Sequence, residues 1–277
     1  MQVSDTCRSF IENATSQSWG ASVPLLNGLN MYEMLRALKA LDATDIAAFR
    51  AALTPLRGTV NAERIDYALT VVETSRLPTV VPGDLTTTGQ VHDAQRFVAS
   101  PRSILREPIP RAEVLARNAG LQSSRNATME RQFGAPRTTY NQSCQRVENA
   151  TLRNRMTTAS VGPFRVTGLD SAVTSLRAVM TEIAAQQRLV YRVLGTAGML
   201  CARNVRGSTT SISNHSWGTA IDLTVDGELD ARGDNNVQFG LELIAPAFNA
   251  EGWYWGVDFR TEDAQHFEAG ATLVGGW

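Results

Sequence analysis

The chain has 277 residues, 43 % of them hydrophobic and 19 % charged, with a formal net charge of −1. This balance supports a sizeable core and excludes a chain that is disordered throughout. The length exceeds the ~150 residues of a typical domain, so one large or two modest domains are expected. No run approaches the ~20 apolar residues of a membrane span, and Met1 to Arg8 shows no basic stretch leading into an apolar one, so neither a transmembrane segment nor a secretory signal is expected.

The N-terminal part carries helical periodicity. Met31, Met34, Leu35, Leu38 and Leu41 form one apolar stripe at 3–4 spacing. Ile46, Phe49 and Leu53 continue it from Asp45 until Pro55 and Gly58 end the pattern, and Ile65, Ala68, Leu69 and Val72 mark a further helix after Asn61. These stripes predict a helical N-terminal module over 1–80, with the isolated His92 beyond it read as structural. Pro78, Pro82-Gly83 and Thr86 to Gly89 break the pattern and predict a linker there.

Residues 81–160 read as an Arg-rich connecting region of short helices and loops. Basic residues are 25 Arg against the single Lys39, and between Arg96 and Arg155 there are 11 Arg against four Glu. Residues 1–160 carry net +4 and residues 161–277 net −5. A solvated surface is the plain reading of that excess, and an anionic partner engaged by electrostatics is the sharper one. Nucleic acid is not expected, because no basic helix with interleaved aromatics is present. Cys7, Cys144 and Cys201 are too few and scattered for a disulfide framework, although one pair could close after export, and Cys201 reads as a small buried residue.

From Gly162 the pattern sharpens. Pro163 to Thr167 reads as extended, and Leu169, Ala172, Val173, Leu176, Val179, Met180 and Ile183 predict an amphipathic helix with Asp170 near its start. Leu189 to Leu194 continues as an apolar segment, and an apolar helix around Phe239, Leu241, Leu243 and Ile244 is expected to be interrupted or ended by Pro246. Short strands with helices on one side give an α+β fold class.

Two of the three histidines lie in segments with chemical content, Ser211 to Leu223 and Glu262 to Glu268. Ala220, Asp222 and Thr224 alternate with Ile221, Leu223 and Val225, the period of a half-buried strand that turns Asp222 away from the core. His266 and Glu268 flank Phe267 in the same way. Gly218 offers a turn that folds His215 back towards Asp222. A catalytic zinc site needs three His, Asp, Glu or Cys ligands and an open position, and His215, Asp222 and His266 supply that set, with Asp263 three residues before the last ligand. The alternative is a pair of hydrogen-bonded structural histidines.

The pattern Ser-x-His-x-x-Gly-x-Ala-x-Asp (Ser213 to Asp222) followed by Asp-x-x-His-Phe-Glu (Asp263 to Glu268) resembles the zinc D-alanyl-D-alanine carboxypeptidase and L-alanyl-D-glutamate endopeptidase family, which includes VanY-type enzymes and phage endolysins. Arg203-x-x-Arg206-Gly207 upstream and Gly252-Trp-Tyr-Trp255-Gly256 before the last ligand are similar to further elements of that family, so the likeness runs from about Val161 to the C-terminus. The resemblance implies a zinc peptidase domain over 161–277 with a small antiparallel sheet, the arrangement shared with the hedgehog signalling domain. It implies His215, Asp222 and His266 as ligands of one Zn2+, Asp263 as general base, and Arg203 or Arg206 as the cation on the substrate, with Ser213 and Trp255 lining the substrate site.

An Asp at position 263, where the carboxypeptidase branch has Glu, favours an endopeptidase cutting the peptidoglycan stem. A D-Ala-D-Ala carboxypeptidase and a non-catalytic zinc-stabilised wall-binding module are the alternatives, and a third reading gives the main role to wall binding by residues 1–160. The expected partners are stem peptides, with anionic wall polymers on the Arg-rich region. Without a signal peptide, the protein is expected to be made in the cytoplasm and to reach the wall by release or delivery.

Overall fold

Asp42 caps a helix of the N-terminal part by bonding across its own turn. Its Oδ1 accepts from the Asp45 amide at 2.8 Å while Asp45 Oδ2 accepts from the Asp42 amide at 3.3 Å, a reciprocal cap for α1 (Ala43–Leu53). This computed structural model describes residues 26, 34, 37–38, 41–56, 60–74, 105–114, 117–118 and 120–277. The chain divides into two compact units, Met1–Ile109 and Pro110–Trp277. In the first, α1 buries Ile46, Phe49 and Leu53, and α2 (Val60–Thr74) buries Ile65, Ala68, Leu69 and Val72, the predicted stripes, together with Tyr67. Arg50 clasps the two helices, reaching Asp66 at 2.9 Å and Glu73 at 2.7 Å. Met34, Leu38 and Leu41 are buried as expected. Met31, Leu35, the linker at 78–90, His92 and Cys7 lie outside the described residues.

The second unit corrects the expected connecting region. Residues 110–160 do not stand as a separate piece, because the segment is woven into the C-terminal unit by long-range bonds. Asn118 Oδ1 accepts from the Trp255 amide at 2.6 Å, Ser124 Oγ donates to the Ala269 carbonyl at 2.9 Å, and the Gln145 and Ala202 backbones bridge each other. Several arginines there engage protein partners. Arg117 pairs with Asp258 at 2.7 Å, Arg137 with Glu148 at 2.6 Å, and Arg155 lies over the Phe133 ring of α3 (Asn126–Phe133). Cys144 is disulfide-bonded to Cys201, which replaces the expectation of a small buried thiol at 201.

Two strands, β1 (Met156–Ser160) and β2 (Arg165–Leu169), form an antiparallel pair that leads into α4 (Asp170–Gln186). α4 buries the six apolar positions read from its period after Leu169, which itself precedes the first turn. Arg188–Val193 is a short helix that hands the chain to β3 (Leu194–Gly198). With β4 (Ala220–Val225), β5 (Trp253–Trp255) and β6 (His266–Ala269) it builds a four-stranded antiparallel sheet in the order β3-β4-β6-β5, so the α+β class holds.

α5 (Phe239–Ala250) runs through Pro246 rather than ending there. Proline lacks one helical donor, and the apolar face around it, Phe239, Leu241, Ile244, Ala245 and Phe248, is buried. That burial, at about 1.5–3 kcal/mol for each large side chain, outweighs one lost hydrogen bond. Beneath the sheet Phe267 stacks on Phe248 at 4.0 Å and on Trp255 at 5.8 Å. Trp253 Nε1 donates to Ser175 Oγ of α4 at 3.0 Å. This aromatic floor leaves the opposite face of β4 and β6 for polar groups. Among the described residues, no helix is long and apolar enough to cross a membrane.

Candidate active site

Strand register brings the first two ligand candidates together. β4 and β6 pair antiparallel with Asp222 opposite His266, so both side chains emerge side by side on the face away from Phe267. The third arrives by a turn. Asn214–Trp217 is a single 3-10 turn closed by Gly218, whose left-handed backbone (φ 64°) returns the chain into β4. A Cβ at Gly218 would stand 2.7 Å from the Gly168 Cα, so the site needs both the conformation and the missing side chain.

The three donor atoms form a nearly equilateral triangle. His215 Nε2 lies 3.2 Å from Asp222 Oδ1 and 3.2 Å from His266 Nδ1, and His266 Nδ1 lies 3.1 Å from Asp222 Oδ1. A tetrahedral ion with bonds of about 2.0 Å has edges of about 3.3 Å, and this triangle approximates one face of such a polyhedron. The remaining ring nitrogens are also engaged. His215 Nδ1 donates to the Met199 carbonyl at 2.9 Å, and His266 Nε2 donates to Glu268 Oε2 at 2.9 Å. Both acceptors lack a proton to give, so the outer nitrogen of each ring carries a hydrogen and the inner nitrogen faces the centre, where it offers its lone pair once it is unprotonated. Glu268 is itself held by Ser123 Oγ. The donor set and its orientation fit zinc.

The charges agree with a cation at the centre. Burial works against an ionised Asp222, but the two histidines hold its carboxyl well below the usual range. Burial likewise opposes a charged His266, yet its bonds to Asp222 and Glu268 outweigh that and raise its pKa to about 10 in the metal-free protein. Glu268 is depressed by the same contact with His266 against the penalty of burial.

The triangle lies in a cleft of about 510 Å³ that also receives Asp263, Arg203, Arg206 and Ser213. Asp263 is placed by a turn in which its carbonyl accepts from the His266 amide at 3.0 Å. Its Oδ2 accepts from Arg232 Nε at 3.1 Å, while Oδ1 is buried without a hydrogen bond. Burial pushes this carboxyl up, Asp222 adds to the rise, and His266 and Arg232 oppose it. Arg203 is half-buried and donates to the Asn204 carbonyl at 3.0 Å, and burial lowers its pKa. Arg206 is exposed at the cleft.

Residues 206–269 match the family described as D-alanyl-D-alanine carboxypeptidase. The matched stretch holds His215, Asp222, Asp263, His266 and Arg206, and the earlier resemblance to that family stands on it. Arg203 and Trp255 separate differently from the expectation: Arg203 precedes the matched stretch but lines the cleft, whereas Trp255 is inside it and does not. No curated protein matches the chain.

Trp255 is a correction to the expected substrate site. The indole is fully buried, stacked on Phe267, and its Nε1 donates to the Ala264 carbonyl at 2.6 Å. It belongs to the floor under the sheet and has no face for a ligand. Sequence reading passed over Glu268 and Arg232 as functional groups. The signal for Glu268 was its i+2 position on the strand of His266, which fixes the same face. Arg232 lies in a loop with no periodic signal, and its pairing with Asp263 spans 31 residues.

Proposed function

We propose that the Pro110–Trp277 unit is a zinc-dependent peptidase of peptidoglycan stem peptides, with His215, Asp222 and His266 as the ligands and Asp263 as the general base. The triangle of donor atoms 3.1–3.2 Å apart, with each imidazole oriented from behind, carries this reading. Zinc held there supplies a Lewis acid and brings the pKa of water into the neutral range. Asp263 has one carboxylate oxygen fixed by Arg232 and the other free, so it can take a proton from water and pass it to the leaving amine. Arg203 is the charged group nearest in character to the task of stabilising the carbonyl oxygen as charge develops, a planar donor partly withdrawn from water. Arg206, more exposed, suits a carboxylate of the substrate at the cleft rim.

An Asp base favours cleavage within the stem, at an L-Ala-D-Glu-type bond. The second reading, removal of the terminal D-Ala, is favoured by the description of the matching family. Mass spectrometry of muropeptides released from defined sacculi separates the two, since the first severs the stem from the sugar strand and the second leaves a stem shorter by one D-Ala. Asp263→Asn is expected to lower turnover about 10²- to 10⁴-fold with zinc stoichiometry unchanged. Loss of zinc from that variant would remove Asp263 from the role of base, and a zinc-loaded wild-type protein inert towards every stem would leave only the non-catalytic wall-binding module.

A further inference from the structure

Beside the cleft, the loop after β4 gathers acids that the peptidase chemistry does not use. Asp230, Asp234 and Glu262 each bring a carboxylate oxygen to within 4.8 Å of the others. Asp230 and Glu262 are 7 % and 1 % exposed. Each has one oxygen satisfied by backbone: Asp230 Oδ2 accepts from the Gln238 amide at 2.6 Å, and Glu262 Oε2 accepts from the amides of Gly233 and Asn235 at 3.1 and 2.9 Å. The other oxygens, Asp230 Oδ1 and Glu262 Oε1, are buried without a hydrogen bond, and so is Gln238 Oε1. Leaving a buried carboxylate oxygen unmade is costly, and placing two such carboxylates together is costlier. Protonation is one remedy, and burial with the neighbouring charges of Glu262 and Asp234 does push Asp230 up to about 7. A counter-cation is the other.

We propose that Asp230, Asp234 and Glu262 form a second cation site, selective for a hard divalent ion of the calcium class. All the donors are oxygens, with no imidazole or thiolate to favour zinc. The carboxylates come from an irregular loop and a distant turn, with water able to complete a larger shell, which suits the flexible six to eight oxygens of Ca2+ better than the strict octahedron of Mg2+. The ion fastens the loop 230–236 to Glu262, and so secures Arg232 from one side and the residue before Asp263 from the other.

The test is calcium binding by the full chain carrying His215→Ala, so that the histidine triangle contributes nothing and a failed zinc assignment cannot be mistaken for a failed calcium site. After chelation, Ca2+ at about 100 times its Kd should raise Tm by several degrees, roughly 5 °C, and calorimetry should give one site. Asp234→Asn preserves the acceptor that Asp234 Oδ1 offers to the Asn236 amide at 2.8 Å on an exposed side chain, so the fold is retained. It should weaken Ca2+ at least tenfold, and Glu262→Gln should do the same. No response of the His215→Ala protein to Ca2+, an undiminished response in both acid variants, or a response to Mg2+ alone would each overturn the assignment.

Discussion

Glu268 shows how one side chain outside the donor triangle sets its chemistry. Its Oε2 takes the Nε2 hydrogen of His266 and its Oε1 takes the hydroxyl hydrogen of Ser123, so the carboxylate is fully committed and can neither rotate nor ligate. The imidazole is thereby held in the tautomer whose Nδ1 faces the centre, and the negative charge behind it raises its basicity as a ligand. Glu268→Gln keeps the volume and one acceptor but removes the charge, and it leaves the amide free to turn its NH2 towards the ring. Zinc affinity is expected to fall about 10- to 100-fold, measured by competition with a chromogenic chelator. An unchanged affinity would show that the Glu268 charge does not act on the site. His215 has only the Met199 carbonyl behind it, a neutral partner that fixes orientation with less electronic push.

At the scale of elements, the site depends on a strand pair and one turn. The alternation in Ala220 to Val225 announced β4 and the direction of Asp222, and the flanking of Phe267 by His266 and Glu268 announced β6, so the polar face was legible before any partner strand was known. The turn can be tested. Gly218→Ala adds a Cβ at 2.7 Å from the Gly168 Cα and 2.8 Å from the Leu169 amide nitrogen, and demands φ 64° of an L-residue. The left-handed conformation alone costs about 1–2 kcal/mol, and the backbone clash adds to it, so Tm should drop by at least several degrees and zinc should bind more weakly. A variant with wild-type Tm and zinc affinity would show that the turn can relax without moving His215. Other elements were illegible for physical reasons. β1, Met-Thr-Thr-Ala-Ser, has half-buried and exposed positions with no apolar face to declare it. Much of the order of 110–160 comes from bonds to distant partners, such as Asn118 to Trp255 and Gln145 to Ala202, which no local period encodes. Trp255 misled because an aromatic run beside a ligand motif reads equally as platform or as core, and only the sheet's two faces separate these.

For the whole molecule, the coupled charges of the triangle make stability depend on pH and on metal in opposite senses. In the metal-free protein His266 has a pKa raised to about 10, against about 6.5 for an unfolded histidine. Its contribution to stability is therefore fully present below pH ~6.5 and is lost as pH rises through about 10. Asp222 has a depressed pKa, so its contribution is present above the unfolded value of ~3.9 and is lost as pH falls through its lower native value. Zinc reverses the first dependence. The ion needs the Nδ1 lone pair of His266, so binding expels a proton and becomes less favourable as pH falls. The metal-free protein then gains relative stability towards mild acid while the zinc-loaded protein loses its advantage. At fixed free zinc, the Tm difference between loaded and chelated protein should be largest near pH ~8 and should shrink steadily towards pH ~5.5. Titration calorimetry in two buffers of different ionisation enthalpy should register at least one proton released per zinc near neutrality, the proton on His266 Nδ1 together with any from zinc-bound water. A Tm difference independent of pH, or zinc binding without proton release, would mean that His266 is already neutral before the metal arrives and that Asp222 and Glu268 do not hold it charged.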